Sequence, residues 1–401
     1  MRRFALLLLL VLASLPGFAQ KQWVRYRVLC RNSVEVARVA DCPLELFSDN
    51  LKIGANDLAV DPKLMPELWK LRLPFTLVSY LPPPDAWKDS SVSDADDYRN
   101  QYLPFANMIN LCETWRAANP NLVTREQIAS GWNGNPVWAY RIYKQDASDV
   151  EYPKKNIVVI AGIHAREWIS PSAGLNIMDR LIQRLNTSDD AFTNKLVDNC
   201  AITIIPEFNP DGYIYSWTTN RYWRKNRRNN GSSFGVDLNR NFSVGWGLNG
   251  GSSSTPSSDT YRGPAAFSEP EAVGLKNFCA RQRNLVGFID LHSYSELILY
   301  PWSYQTALCP DDAFFNSMTT QMVADMVASG GHAYTKGQTS RILYIASGTS
   351  NDYLYGIYGT KAIAMELRDT GTYGFVLPEN QIIPTQDEVW AAFVSMVNRI
   401  L

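Results

Sequence analysis

From about residue 98 onward, short apolar runs alternate with stretches whose apolar residues recur at helical spacing. Pro136–Tyr143, Ile157–Ile160, Ala201–Pro206, Leu285–Leu291 and Lys361–Leu367 read as strands. Strands this apolar are covered on both faces, as in a parallel or mixed sheet between helices. Tyr102–Ala118 is helical, with Leu103, Phe105, Met108, Ile109, Leu111 and Trp115 as its apolar positions. Ser170 is a candidate N-cap with Pro171 at the first helical position, and Ala173, Ile177, Leu181 and Leu185 follow at helical spacing. Thr385–Glu388 reads as a capping box opening a last helix, Val389–Leu401. The fold class expected is α/β: a mixed, mainly parallel central sheet flanked by helices on both faces.

The chain before this region is patterned differently. Trp23–Val28 half alternates and Phe75–Tyr80 is rich in β-formers, which predicts a small α+β N-terminal segment. Three prolines at 82–84 and the polar stretch Asp85–Asp97 form a stiff, solvated linker. Residues 1–19 read as a secretory signal peptide: Arg2 and Arg3, an apolar stretch from Ala5 to Leu12, then a small-x-small cleavage site before Gln20. The division expected is signal peptide 1–19, pro-segment-like region 20–81, linker 82–97 and main domain 98–401. Lys88 and Arg99 offer a trypsin-like protease its cut. Export implies an extracellular location, or a periplasmic one in a Gram-negative host. No later stretch is apolar enough to span a membrane.

Composition narrows the function further. With 46% apolar residues the chain can bury a large core, and a net charge of −1 gives no electrostatic case for nucleic acid or an acidic membrane. The 6 cysteines allow up to three bridges, with Cys30–Cys42 the easiest local pair; none forms a C-x-x-C zinc motif. Cys200 opens an apolar run and reads as a buried thiol. The Gly/Ser-rich stretch 245–258 is a long surface loop.

The chemistry gathers where strands end. There are only 3 histidines: His164, His292 and His332. His164 and Glu167 follow one apolar run, Asn209 and Asp211 another, and His292 a third; in open α/β sheets, sites form beyond the carboxyl ends of strands. His164, Glu167 and His292 would make a His2Glu set, a donor combination that suits zinc and leaves one position open. An ordinary set of hydrogen-bonded strand-end residues fits the spacing equally well. His332, in G-G-H-A-Y-T, reads as a loop histidine.

The ordered series G-I-H-A-R-E-W (162–168), P-E-F-N-P-D-G-Y (206–213), N-R-Y-W-R-K-N-R (220–227), G-V-D-L-N-R-N-F (235–242), T-Y-R-G (260–263), D-L-H-S-Y-S (290–295), A-S-G-T-S-N-D-Y (346–353) and E-L-R-D-T-G-x-Y-G-F (366–375) resembles zinc carboxypeptidases of the pancreatic A/B type. The resemblance runs from about Tyr98 to Leu401. It implies one Zn2+ per chain held by His164, Glu167 and His292, and release of single C-terminal residues by zinc-promoted attack of water. It implies Glu366 as general base, against the competing reading of a salt bridge to Arg368. Arg224 would stabilise the oxyanion, and Asn239, Arg240 and Tyr344 would hold the substrate carboxylate. Arg166 and Tyr294 would contact the peptide further out, and Asp237 would fix the tautomer of His164. Arg221, Arg227 and Arg228 carry no such role and read as solvated charges. Partners implied are peptide or protein C-termini and an activating trypsin-like protease, with a monomeric enzyme expected. A zinc amidohydrolase acting on cell-wall peptides or N-acyl amino acids, and an inactive peptide-binding relative, are the alternatives.

The sequence departs from the family in three places. Ser233 and Ser257 stand where the family has a disulfide, so the Gly/Ser loop is expected to be looser or held by other contacts. The N-terminal segment is short for an activation domain, and its inhibition of the enzyme is an expectation only. Asn351 occupies the base of the side-chain pocket, with Ser303 and Thr339 on its wall. A neutral amide there lacks the charge that offsets burial of a substrate cation, so neutral C-terminal side chains are expected.

Overall fold

The computed structural model describes residues 23–47, 51–81, 98–144 and 155–401. The expected signal peptide, the linker with Lys88 and the start of the mature chain lie outside the described residues.

The N-terminal unit is a small α+β layer pair. Its strands are β1 (Val24–Cys30), β2 (Glu45–Leu46), β3 (Gly54–Val60) and β4 (Phe75–Tyr80), in the order β2-β3-β1-β4 and antiparallel throughout. Helices α1 (Ser33–Ala40) and α2 (Met65–Lys70) complete it. Asn32 caps α1 by accepting from the Glu35 amide at 3.0 Å. Val28, Val39, Leu58 and Leu68 form its own core, which gives this short segment an independent apolar centre.

The main unit is built on eight strands in the order β11-β10-β12-β9-β7-β8-β6-β5. In chain order these are β5 (Val123–Ser130), β6 (Pro136–Ile142), β7 (Lys155–Ala161), β8 (Cys200–Ile205), β9 (Leu285–Ser293), β10 (Leu297–Tyr300), β11 (Thr335–Gln338) and β12 (Lys361–Leu367). The central run β12-β9-β7-β8 is parallel, while β6 and β5 on one side and β10 on the other pair antiparallel. Successive residues of β7, β8 and β9 are buried along almost their whole length. Since neighbouring side chains point to opposite faces, both faces must be covered. The cover comes from α3 (Phe105–Ala118), α4 (Ile169–Thr187), α5 (Ala191–Asn199), α6 (Pro210–Thr218), α7 (Pro270–Arg281), α8 (Asp312–Ala328), the single turn α9 (Thr339–Ile342), α10 (Ser350–Tyr358) and α11 (Ile382–Ile400). The expected α/β class holds. None of the described helices is long and apolar enough to cross a membrane.

Several local expectations are corrected. α4 starts at Ile169, so Ser170 lies inside the helix rather than capping it. Its hydroxyl instead bonds the Leu291 carbonyl and accepts from the Gly162 amide at 2.9 Å, tying β9 to the turn after β7. α11 begins at Ile382, a turn before the anticipated capping box; Thr385 bonds back to the Gln381 carbonyl at 2.7 Å and Glu388 turns inward to Arg368. α3 begins at Phe105, not Tyr102, because Pro104 sets the extended backbone before it. All six cysteines are unbridged and buried. Cys30 and Cys42 sit in the N-terminal core, and Cys112, Cys200, Cys279 and Cys309 in the main one, where each packs as a small apolar side chain.

The two units meet over one end of the large sheet. Leu46 donates its amide to Asp259 Oδ2 at 3.0 Å, Tyr294 its hydroxyl to the Phe47 carbonyl at 2.8 Å, and Asn220 its amide to Glu45 Oε1 at 2.9 Å. Trp23, Phe47 and Tyr222 form a shared apolar cluster. The Gly/Ser loop, without its disulfide, is held by these contacts among others: Ser253 Oγ donates to Asp41 Oδ1 at 2.7 Å and Ser258 Oγ to the Ala40 carbonyl. From below, Lys225 Nζ donates to the carbonyls of Pro256 at 3.0 Å and Ser258 at 2.8 Å.

Candidate active site

The turn after β7 reverses tightly because Gly162 takes φ +72°, and a Cβ there would lie 2.2 Å from Glu207 Oε2. The turn sends His164 and Glu167 toward the end of β9, where His292 stands. One donor atom from each of the three lies within 4.8 Å of the others, and all three residues are buried. His164 Nδ1 is 2.9 Å from Glu167 Oε1 and 3.1 Å from His292 Nδ1, which is 3.2 Å from Glu167 Oε2. Two imidazole nitrogens and a carboxylate oxygen facing one point is a donor set that fits a divalent cation with nitrogen and oxygen preference.

The outer nitrogens of both rings face carboxylates. His164 Nε2 is 3.2 Å from Asp237 Oδ1, and His292 Nε2 is 3.2 Å from Asp290 Oδ2. An Nε2–H held by a carboxylate leaves Nδ1 as the lone-pair donor, which is the tautomer a metal needs. Burial by itself would raise the Glu167 carboxyl, but the His164 and His292 charges and hydrogen bonds bring it down to about 2. Burial opposes a charged His292, yet Asp290 and Glu167 outweigh it and hold its pKa well above the ordinary value. Asp237 is held well below the carboxylate range: burial works upward, and Arg224 and Arg240 outweigh it.

A single cavity brings His164, Arg224, Asn239, Arg240, His292, Ser303, Thr339, Tyr344, Asn351 and Glu366 together, with Leu299, Leu343, Ala346, Thr349 and Ala364. Arg368, the competing partner for Glu366, is engaged elsewhere: its Nε donates to Glu388 Oε2 at 3.0 Å and its Nη1 to Gln381 Oε1 at 2.8 Å. The buried Arg224 donates through Nη2 to Asp237 Oδ2 at 2.8 Å. Arg240 donates through Nη2 to the Tyr344 hydroxyl at 3.2 Å, and its buried Nε has no hydrogen-bond partner among the described residues. Asn239 lies with its Nδ2 3.2 Å from His292 Nε2 and accepts the Ser350 amide at 2.9 Å, so its amide braces the site as well as lining it.

Arg166 and Tyr294 are not among the lining residues. Arg166 is fully buried, with its Nη1 3.4 Å from Asp259 Oδ2 and its guanidinium 4.1 Å from the Phe375 ring centroid. Tyr294 is bonded to Phe47 of the N-terminal unit. Arg221 is no solvated charge: it is 2% exposed, stacks 3.7 Å from the Trp168 ring centroid and donates to the Arg166 carbonyl at 2.6 Å. Arg227 stacks on Tyr215 at 3.7 Å, and Arg228 pairs with Glu269 at 2.9 Å. Asn209 and Asp211 serve the backbone, Asn209 capping α6 and Asp211 accepting the Asn133 amide at 2.6 Å. His332 lies apart, paired with Glu296 at 2.8 Å. Sequence reasoning missed Asp290, although it stands two residues before His292 on the same strand and therefore on the same face.

Residues 108–392 match the family described as zinc carboxypeptidase. Human carboxypeptidase A1 is 36% identical over 287 residues, covering 71% of this chain and 67% of that protein. Carboxypeptidase B of the crayfish Astacus astacus is 37% identical over 284 residues, covering 70% and 90% respectively. Among solved structures, thrombin activatable fibrinolysis inhibitor superposes with a TM-score of 0.81 at 27% identity, covering 95% of this chain and 99% of that one. That span includes the N-terminal unit.

Proposed function

The chain belongs to the zinc carboxypeptidase family and is a metallocarboxypeptidase; we propose that it is a secreted exopeptidase releasing single C-terminal residues with neutral side chains. The observation that carries this reading is Arg240. It is a buried cation whose Nε has no partner among the described residues, sharing one cavity with His164 and His292 of the donor set and with Glu366. A guanidinium so placed takes a carboxylate through paired N–H bonds, which selects the chain terminus over an internal segment.

One Zn2+ in the His2Glu set supplies Lewis-acid polarisation of a water and of the scissile carbonyl. Around it, Asp237 and Asp290 hold the two rings in the ligating tautomer. Glu366, only half-buried, takes the proton from the attacking water and hands it to the departing amine. Arg224 stabilises the negative charge that develops on the carbonyl oxygen. Tyr344 joins Arg240 on the substrate carboxylate, with Asn239 beside them. Ser303, Thr339 and Asn351 surround the terminal side chain, and none carries the charge that a substrate Lys or Arg requires.

The N-terminal unit acts in this reading as a pro-segment. It engages Tyr294 through Phe47 and buries Arg166 beside the Asp259–Leu46 contact. Both are the residues that would meet the peptide further from its end. A trypsin-like cut in the linker would free them. The test is a panel of peptides differing only in the last residue, followed by mass spectrometry, with and without chelator, before and after trypsin. Loss of one residue at a time from free but not amidated C-termini is expected. Cleavage of the amidated peptides would favour an amidohydrolase.

A further inference from the structure

The side-chain end of the cavity holds a polar group that the fold itself does not use. Asn351 lies in the first turn of α10 and is 2% exposed, and its Nδ2 has no hydrogen-bond partner among the described residues. It lines the same cavity as Arg240 and Glu366. A buried amide donor without a partner carries its full desolvation cost until a ligand accepts from it.

Two further polar atoms on this wall, Ser303 Oγ and Thr349 Oγ1, are also buried without a hydrogen-bond partner among the described residues, while other groups nearby are engaged. Thr339 Oγ1 donates to the Tyr300 carbonyl at 3.0 Å. The Asp352 carboxylate, next in sequence, accepts from the Ser303 amide at 2.8 and 2.9 Å and from the Tyr304 amide at 3.1 Å. Leu299, Leu343, Ala346 and Ala364 supply the apolar part of the wall.

These facts sort the possible C-terminal side chains. A hydrocarbon fills the space but leaves the Asn351 amide dry and unpaired. A lysine or arginine would find the Asp352 carboxylate already bonded to backbone amides, and the Glu366 carboxylate of the same cavity is the proposed base. A glutamate or aspartate would bring a second carboxylate near Asp352, and the two arginines of the cavity, Arg224 and Arg240, are already assigned to the oxyanion and the terminal carboxylate. A carboxamide is neutral and carries both a carbonyl acceptor and N–H donors, so it pairs with the Asn351 amide in either rotation of that amide. We propose that this pocket selects peptides ending in glutamine or asparagine, through an amide–amide pair with Asn351. The proposal rests on the carboxypeptidase reading above.

The test uses the zinc-loaded full chain after limited trypsin treatment, with matched peptides ending in Gln, Asn, Met, Leu, Glu and Lys. Gln or Asn is expected to exceed Met and Leu by about tenfold or more in kcat/KM, since a site built around a hydrogen bond rejects the analogue lacking it. Asn351→Leu should reverse that order without changing zinc content. Asn351→Asp, nearly the same shape, should shift preference toward Lys and Arg and serves if the leucine variant fails to fold. Wild-type preference for Met or Leu over both amides, or a ratio unmoved by either variant, would overturn the proposal while leaving the carboxypeptidase intact. If no peptide is cleaved at all, the carboxypeptidase reading falls. Calorimetry with N-acetylglutamine and N-acetylmethionine then decides the pocket: tighter glutamine binding supports the amide pair, and equal or weaker binding removes it.

Discussion

Glu366 and His292 are register partners on the adjacent parallel strands β12 and β9. Partners in register project to the same face of a sheet, so the proposed base stands beside a proposed metal ligand by strand geometry alone. Because Glu366 is not one of the three converging donors, its role can be separated from metal binding. Glu366→Gln is expected to lower kcat by about 10²–10⁴-fold. KM and zinc content should stay near wild type. Measuring turnover and bound metal on the same preparation checks this, and a variant that keeps its activity would remove Glu366 from the mechanism.

The His164–Glu167–His292 cluster predicts a linked loss of activity and stability when metal is withdrawn. Without a cation, two ring nitrogens 3.1 Å apart face a carboxylate in a buried site. A metal bound at 100 times its Kd adds about 2.7 kcal/mol of stability, so chelation should lower Tm by several degrees and abolish turnover. Added zinc should restore both. His292→Ala should behave like the chelated protein and not respond to zinc. An unchanged Tm on chelation would show that these residues hold no metal.

Much of this site could be read from the chain because its parts follow apolar strands. Runs such as Ile157–Ile160 and Lys361–Leu367 mark themselves, and the residues just beyond them fall at one sheet end by topology. The edge strands were less legible. β5, V-T-R-E-Q-I-A-S, is largely exposed, and β10 and β11 have four residues each, too few to establish a period. Arginines misled the reading in the other direction. Arg221 is buried because the Trp168 ring and two backbone carbonyls receive its guanidinium, partners that no spacing rule places together. Ser170 and Thr385 have the composition of caps, but the Ser170 hydroxyl goes to a tertiary partner, the Leu291 carbonyl, and the Thr385 hydroxyl bonds back one turn to the Gln381 carbonyl.

Arg240 tests the direction of cleavage. Its Nη2 already meets Tyr344, so a substrate carboxylate would join an assembled pair. Arg240→Ala should cut kcat/KM on free-C-terminus peptides by about 10²-fold or more, given the strength of a buried charge-assisted pair. The wild-type enzyme should discriminate strongly against an amidated terminus, and the variant should lose that discrimination. Kinetics on matched free and amidated peptides read both effects. Equal rates on the two forms with wild-type enzyme would count against a carboxylate clamp.

The Phe47–Tyr294 contact predicts how the N-terminal unit restrains the enzyme. The Tyr294 hydroxyl is held at 2.8 Å by the Phe47 carbonyl, and the Phe47 ring packs against Tyr222 and Phe375. Phe47→Ala should loosen this apolar seat by about 3–5 kcal/mol, the usual range for a buried Phe. The uncut variant should therefore show more activity than the uncut wild type, while the two become equal after trypsin. If uncut wild type is already fully active, the unit does not inhibit and the variant will show no gain.

Glu271 sets a pH dependence that lies away from the proposed chemistry. It is buried in the first turn of α7, and burial drives its pKa from 4.5 up to about 8, with the Glu269 carboxylate pushing the same way. A carboxyl whose pKa is raised on folding favours the folded state in its neutral form. Its contribution is therefore complete below about pH 4.5 and is lost as the pH climbs through about 8. Each pKa unit corresponds to about 1.4 kcal/mol, so the loss across this window is large enough to see in Tm. Glu271→Gln keeps the shape and the acceptor for Asn226 but cannot ionise. Its Tm should fall less than that of wild type between pH 5 and 8, and it should be the more stable protein at the alkaline end. Thermal unfolding of both proteins at matched ionic strength measures the difference, and parallel Tm curves across that range would show that Glu271 does not titrate there.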